Sequence, residues 1–405
     1  MLTINIDSPP LSDAYQACRD HSGQQLYAPQ LVTLSQSSWP AFPVQSFCVT
    51  EKVEVNNEST QYRYHFDKER SAMAQVSPEI FAHHILTVLN SMTFPFERFL
   101  LHNLESINTT KDSVLFKLKQ TDHLFDQKLA SFAFCLGPEE GVVSPYQIRS
   151  RSTDQWNFES NFDFLPPLIF RRVKEPELNY NQYMNQTVDV TADTAFPLDK
   201  PTEEAVVDRS GIFMCLDFET DNWEIQKSVE KIVHRGELNQ SIHHGFLEAS
   251  SFSKVPMGPK ESNKNFLKKN LRLGFDPYYP NHIIAEKLSE QLSRAGWIVE
   301  LVEDTYGNPT EKVDLRLVLI KGSFPSSYSI YYGLLGGHWF QEEREKKQKY
   351  FSLLQRLESS REPEHEVLYD LEGLLRSVGA PLPLLEVVSY TLISDRMKKC
   401  FPQRV

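Results

Sequence analysis

The stretch from residue 271 to residue 319 most constrains what this chain can fold into. Residues 271–275 (LRLGF) alternate apolar and polar side chains, the two-residue period of a strand. Residues 276–280 (DPYYP) have the composition of a turn. Asn281 then stands where an N-cap belongs, and Ile284, Leu288, Leu292 and Ala295 follow at helical spacing. Gly296 occupies the place of the glycine that follows a helix end. Residues 297–302 (WIVELV) and 315–319 (LRLVL) read as two further strands. Strand, helix and strand at this spacing form a βαβ unit, which needs a parallel sheet and a right-handed crossover. The chain is therefore expected to be α/β. Open parallel sheets bind ligands at the carboxyl ends of their strands, so a binding lobe is expected here.

A chain of 405 residues has room for two or three lobes, each with its own core. Its net charge of −12 argues against a polyanion partner, and no direct nucleic-acid binding is expected. The best basic run, residues 264–272 (KNFLKKNLR), is short and reads as a solvated face. The cysteines at 18, 48, 135, 215 and 400 are odd in number, widely spaced and contain no C-x-x-C. That pattern fits buried thiols in a reducing compartment. Residues 1–7 lack the basic and apolar regions of a signal peptide, so a cytoplasmic protein is expected. No apolar run approaches the roughly 18 residues of a membrane span, so no membrane insertion is expected.

The first half reads as mixed α and β. Residues 60–66 and 113–118 have strand character, 125–133 a short helix, and 77–89 a helix with Ser77 as N-cap and Pro78 in the first turn. Something new begins at Asp208, where residues 211–218 (GIFMCLDF) form an apolar strand. Residues 224–249 and 340–376 read as helical, and 380–392 as a closing strand.

The pairs His83–His84 and His243–His244 have no partner at metal-ligand spacing, so no metal site is expected. No nucleophile elbow, P-loop or dinucleotide fingerprint is present. No catalytic residue and no cofactor are expected, and the chain is read as a non-enzyme. The turn before Asn281 is the best candidate site. A helix N-terminus offers free N–H groups and a positive dipole end. Tyr278 and Tyr279 can stack on a ligand there, with Asn281 and His282 beside them. Tyr146, Trp39 and Trp156 are further ligand-binding candidates, because aromatic side chains line most pockets.

Taken in order, several segments resemble family 5 extracellular solute-binding proteins, the peptide- and nickel-binding type. They are Tyr27 to Val32 (YAPQLV), Tyr62 to Phe66 (YRYHF) with VSPEIF after it, the Ser-Pro-Tyr turn ending at Tyr146, Asn161 to Phe164 with Pro166 and Pro167, Thr187 to Asp189, and Pro381 to Leu384 (PLPL). The resemblance implies a two-lobed, periplasmic-binding-protein-like fold (type II) with a hinge and a ligand cleft. Residues 1–207 and 365–405 would form one lobe, and 208–364 the other. The chain is expected to depart from the family in lacking an export signal and in being shorter than most members. Where the family's peptide binders carry an acidic segment for the ligand amine, residues 321–328 (KGSFPSSY) hold no acid. The solute-binding half of SgrR-type regulators is the most similar branch. The resemblance implies a cytoplasmic protein that senses or carries a small ligand: a sugar phosphate, a sugar or a modified peptide. Two alternatives stand beside it, the substrate-binding component of an ABC transporter and a degenerate fold that binds a protein partner.

Overall fold

The computed structural model describes every residue except 8–20, 38, 40–41, 92–96, 193–204, 220–222, 243–244, 254–269, 306–310, 363 and 402–405; of 208–210 and 223–224 it describes the backbone alone. Cys18, His243, His244 and most of the basic run 264–272 therefore lie outside the described residues.

Two four-stranded sheets build the first lobe. In one, β1 (Leu2–Ile6) pairs in parallel with β10 (Leu168–Arg172), and β9 (Gln155–Ser160) and β8 (Tyr146–Arg151) follow antiparallel. In the other, β4 (Thr50–Val55), β5 (Gln61–Phe66), β7 (Ser113–Leu118) and β6 (Leu104–Thr109) are antiparallel throughout. The short pair β2 (Val32–Thr33) and β3 (Phe47–Cys48) lies between them in sequence. Helix α1 (His21–Tyr27) follows β1. Helix α2 (Pro78–Asn90) begins as its sequence predicts, with the Ser77 hydroxyl accepting from the Ile80 N–H and proline in the first turn. It buries Phe81, Ile85 and Val88, a stripe at helical spacing, in the core that β5 and β7 share. Helix α3 (Phe125–Leu129) is short, and the rest of the expected helix is a 3-10 turn, Phe132–Phe134.

One six-stranded sheet carries the second lobe, in the order β12 (Phe246–Glu248), β16 (Leu382–Thr391), β11 (Val206–Phe218), β15 (Leu315–Lys321), β13 (Asn270–Phe275), β14 (Ile298–Glu303). The expected βαβ unit is there: β13 runs parallel to both β14 and β15. Residues alternate between the two faces of this sheet. Ile212, Met214 and Leu216 of β11 face a core with helix α4 (Trp223–Ile232) and helix α5 (Asn281–Arg294). Phe213 and Cys215 face the opposite core, with helix α6 (Ser329–Leu334), helix α7 (Arg344–Ser359) and helix α8 (His365–Val378). Two expectations change in this lobe. The helical stretch 224–249 is broken, with a second helix at Arg235–Gln240 and a strand at β12. Pro280, not Asn281, is the N-cap of α5; Asn281 is its first helical residue and is buried.

The return to the first lobe also comes later than expected. Residues 365–378 form a helix of the second lobe, and β16 is hydrogen-bonded on both sides, to β11 and β12. Strand β16 is apolar on both faces and buried for nearly its whole length, the character of a strand with neighbours on each side. Only beyond Thr391 does the chain rejoin the first lobe. There Ile393 pairs with Val190, which pairs with Ile4. Met397 of helix α9 (Asp395–Cys400) enters the core under β1 and β10. Strand β11 starts where β16 ends, with Val206 opposite Thr391, so the two strands cross between lobes side by side.

Candidate functional site

A cavity of about 680 Å³ opens between the two halves of the chain. Trp39, His123 and Gln127 line it from the first lobe. Phe213, Phe252 and Glu386 line it from the second, together with Arg361 and the turn that holds Gly322 and residues 324–329. This turn leaves the carboxyl end of β15, the kind of position where α/β sheets bind ligands.

The turn is tightly wound. A Cβ on Gly322 would lie 1.6 Å from the Ser329 hydroxyl, so only glycine fits. The Ser329 hydroxyl donates to the Ser326 carbonyl at 2.6 Å, and the Tyr328 N–H donates to the Ser326 hydroxyl at 3.3 Å. Trp39 is fixed from three directions. Its Nε1–H donates to the Ala130 carbonyl at 3.1 Å, and its ring stacks on Phe42 and Phe132. The Lys321 ammonium sits 4.7 Å from the Trp39 and Phe42 ring centres, a cation–π arrangement, and bonds His21 and Gln24 of α1.

The polar lining is mixed. Glu386 projects from the middle of β16 and is 7% exposed. Arg361 stands exposed at the rim. Gln127 lines the wall, but its side-chain oxygen is turned away from the open space and has no donor among the described residues. The cavity therefore presents a carboxylate inside, a cation at its rim and aromatic surface between.

Beside it lies a dry ionic cluster. Lys128 donates to Asp122 at 2.7 Å and to Glu358 at 2.6 Å, and the lysine and glutamate side chains are fully buried. The Tyr332 hydroxyl also donates to Glu358, at 2.9 Å. Burial works against the Lys128 ammonium, yet the two carboxylates outweigh it and hold its pKa above the ordinary lysine value. Burial pushes the Glu358 carboxyl upward, against the pull of Lys128.

Of the seven residues proposed from sequence, Trp39 lines this cavity and six do not. Tyr278, Tyr279, Asn281 and His282 surround the start of α5, which packs on the opposite face of the sheet. The backbone there is closed on itself: the Asn281 N–H donates to the Tyr278 carbonyl at 2.8 Å. Tyr146 and Trp156 are core residues under β1 and β10, and the Tyr146 hydroxyl donates to the Pro166 carbonyl at 3.0 Å. The segment 321–328, which the family resemblance pointed to, does supply the cavity wall. It lacks an acid, but Glu386 brings a carboxylate to the same cavity from another strand. His123, Gln127, Arg361 and Glu386 carry no local motif; only their distant neighbours in the fold mark them. Among the described residues no group of three or more His, Cys, Asp or Glu side chains is placed to hold a metal ion, and no helix is long and apolar enough to cross a membrane.

No protein-family description matches the sequence, and no curated protein matches it. Solved structures do match over nearly the whole chain. DppA of Helicobacter pylori, an ABC transporter-associated periplasmic binding protein in complex with the peptide STSA, has a TM-score of 0.73 at 10% identity, over 97% of this chain and 94% of that one. OppA of Haemophilus influenzae, in complex with RPPGFSPFR, gives 0.75 at 11% identity, with 97% and 94% covered. NikZ of Campylobacter jejuni, in complex with Ni(L-His), gives 0.69 at 12% identity, again with 97% and 94% covered. These neighbours are family 5 solute-binding proteins. At such identities the likeness is one of fold: this chain has the two-lobed α/β architecture of periplasmic binding proteins.

Proposed function

We propose that this chain is a non-catalytic solute-binding protein that encloses one small polar ligand between its lobes. The observation that carries the reading is the interlobe cavity, walled by both halves and lined by polar and aromatic side chains. The ligands of two fold neighbours, the tetrapeptide STSA and a nickel–histidine complex, are of a size and polarity that such a cavity accepts. A sugar, a sugar phosphate or a peptide-like molecule meets the demands of the lining. It has N–H or O–H donors for Glu386, an anionic or carbonyl group for Arg361, and an apolar part to lie against Trp39. The reading extends to a cytoplasmic, SgrR-like role in which ligand occupancy is sensed. The free thiols of Cys48, Cys135, Cys215 and Cys400 support a reducing compartment.

A thermal-shift screen of sugars, sugar phosphates and short peptides, followed by calorimetry, tests the reading. At least one class should raise the melting temperature. Trp39→Ala and Glu386→Gln should each weaken that ligand about tenfold or more, the effect of losing one aromatic or one charge-assisted polar contact. If no class shifts the melting curve and native mass spectrometry finds no co-purified ligand, the reading fails.

A further inference from the structure

The seam beside the cavity is closed by groups that solute binding does not use. In the first lobe Asp122 precedes α3 and Lys128 lies within it, whereas Glu358 is near the end of α7 in the second. Three of the side chains are sealed, with Lys128 and Glu358 0% exposed and Asp122 1% exposed, and His102 of the first lobe, 15% exposed, stands 3.6 Å from Glu358 on the outer side. The backbone joins the same seam, since the His123 N–H donates to the Glu358 carbonyl at 2.9 Å. Around these groups Leu124, Phe125, Leu354 and Leu357 belong to one apolar cluster that runs unbroken from the β5–β7 sheet to the α6–α8 layer. On the other flank of the cavity, Lys321 of the second lobe reaches the rings of Trp39 and Phe42. Both contacts are made by the protein's own side chains.

We infer that these residues are an interlobe latch, which holds the lobes shut over the cavity when no solute is bound. The apolar cluster supplies the closing force. The ionic cluster contributes little net energy, because desolvation offsets its attraction, but it fixes the register and penalises partial opening. A seam that separates by an ångström or two leaves three charges apart and still dry, so the lobes have a shut state and a fully open one with little between.

The test uses the whole chain, refolded from guanidinium to strip bound solute. Small-angle scattering of this ligand-free protein should fit the shut structure. Hydrogen exchange at the His123 amide should be as slow as at core amides such as Leu273. A ligand-free radius of gyration that only a more open arrangement fits, or His123 exchange a hundredfold faster than Leu273, would overturn the inference. The variant Lys128→Met, close in shape but uncharged, should speed His123 exchange at least tenfold more than it speeds Leu273 exchange. Equal His123 exchange in variant and parent would remove the latch role. If that variant does not fold, the two measurements on the parent chain decide. None of these readouts depends on finding the ligand, so the proposed solute-binding role can fail while the latch stands, or the reverse.

Discussion

Asp276 follows β13 half-buried, and burial together with the Asp304 carboxylate pushes its pKa up to about 6, against the pull of Arg316. A carboxyl raised in this way stabilises the fold below about pH 4, where it is neutral in both states. The contribution is lost as pH rises through about 6. Asp276→Asn should therefore leave stability near pH 4 almost unchanged and raise it above pH 6. The gap between 3.8 and about 6 corresponds to roughly 3 kcal/mol, and solvent screening of a half-exposed group reduces this to about 1–2. Urea titrations of both proteins at pH 4.5 and 7.5 check the sign: a variant equally or more unstable at pH 7.5 would contradict it. Two glycines make a second pair of cases. Gly322→Ala forces the Ser329 side chain and backbone aside and should cost about 1–3 kcal/mol, with weaker ligand binding. Gly373, inside α8, has open space where an added methyl would stand, so Gly373→Ala should stabilise by about 0.5–1 kcal/mol. Melting curves that move in the same direction for both would refute the distinction.

At the scale of elements, local chemistry is readable where it acts on near neighbours. The Ser77 cap is such a case: Ser77→Ala should cost about 1 kcal/mol in urea unfolding, and an unchanged midpoint would show that the cap is idle. The periods of α2, β5, β7 and the β13–α5–β14 unit can be read for the same reason, because each is a pattern within a dozen residues. Where reading fails, the deciding partner is distant in sequence. Asn281 has the right side chain for a cap, yet Pro280 takes the cap position and Asn281 is buried as the first helical residue. Tyr278 and Tyr279 do stand at a helix start. Which face of the sheet that helix covers is decided by the alternation of β11 against α4 and α5, which no short window contains. Glu386 is hidden for a similar reason. It is a lone acid in an apolar strand, and its place at the cavity follows from β16 lying beside β11.

For the whole molecule, the shared apolar cluster has a thermodynamic signature. Two-lobed chains commonly unfold in separable steps. Here one core and one buried ionic cluster join the halves, so near-UV and far-UV signals should lose structure in a single coincident urea transition. Two resolved transitions would mean that the lobes are energetically independent. The strand order also bears on how the molecule is made. Strand β11 is complete at residue 218, but β16, which must lie against it in the sheet interior, ends only at residue 391. At about 5–20 residues per second, a ribosome leaves that long apolar edge without its inner neighbour for on the order of ten seconds. The newborn chain thus offers a sticky edge to every other chain nearby, and it should be a client of the chaperones that guard the ribosome exit.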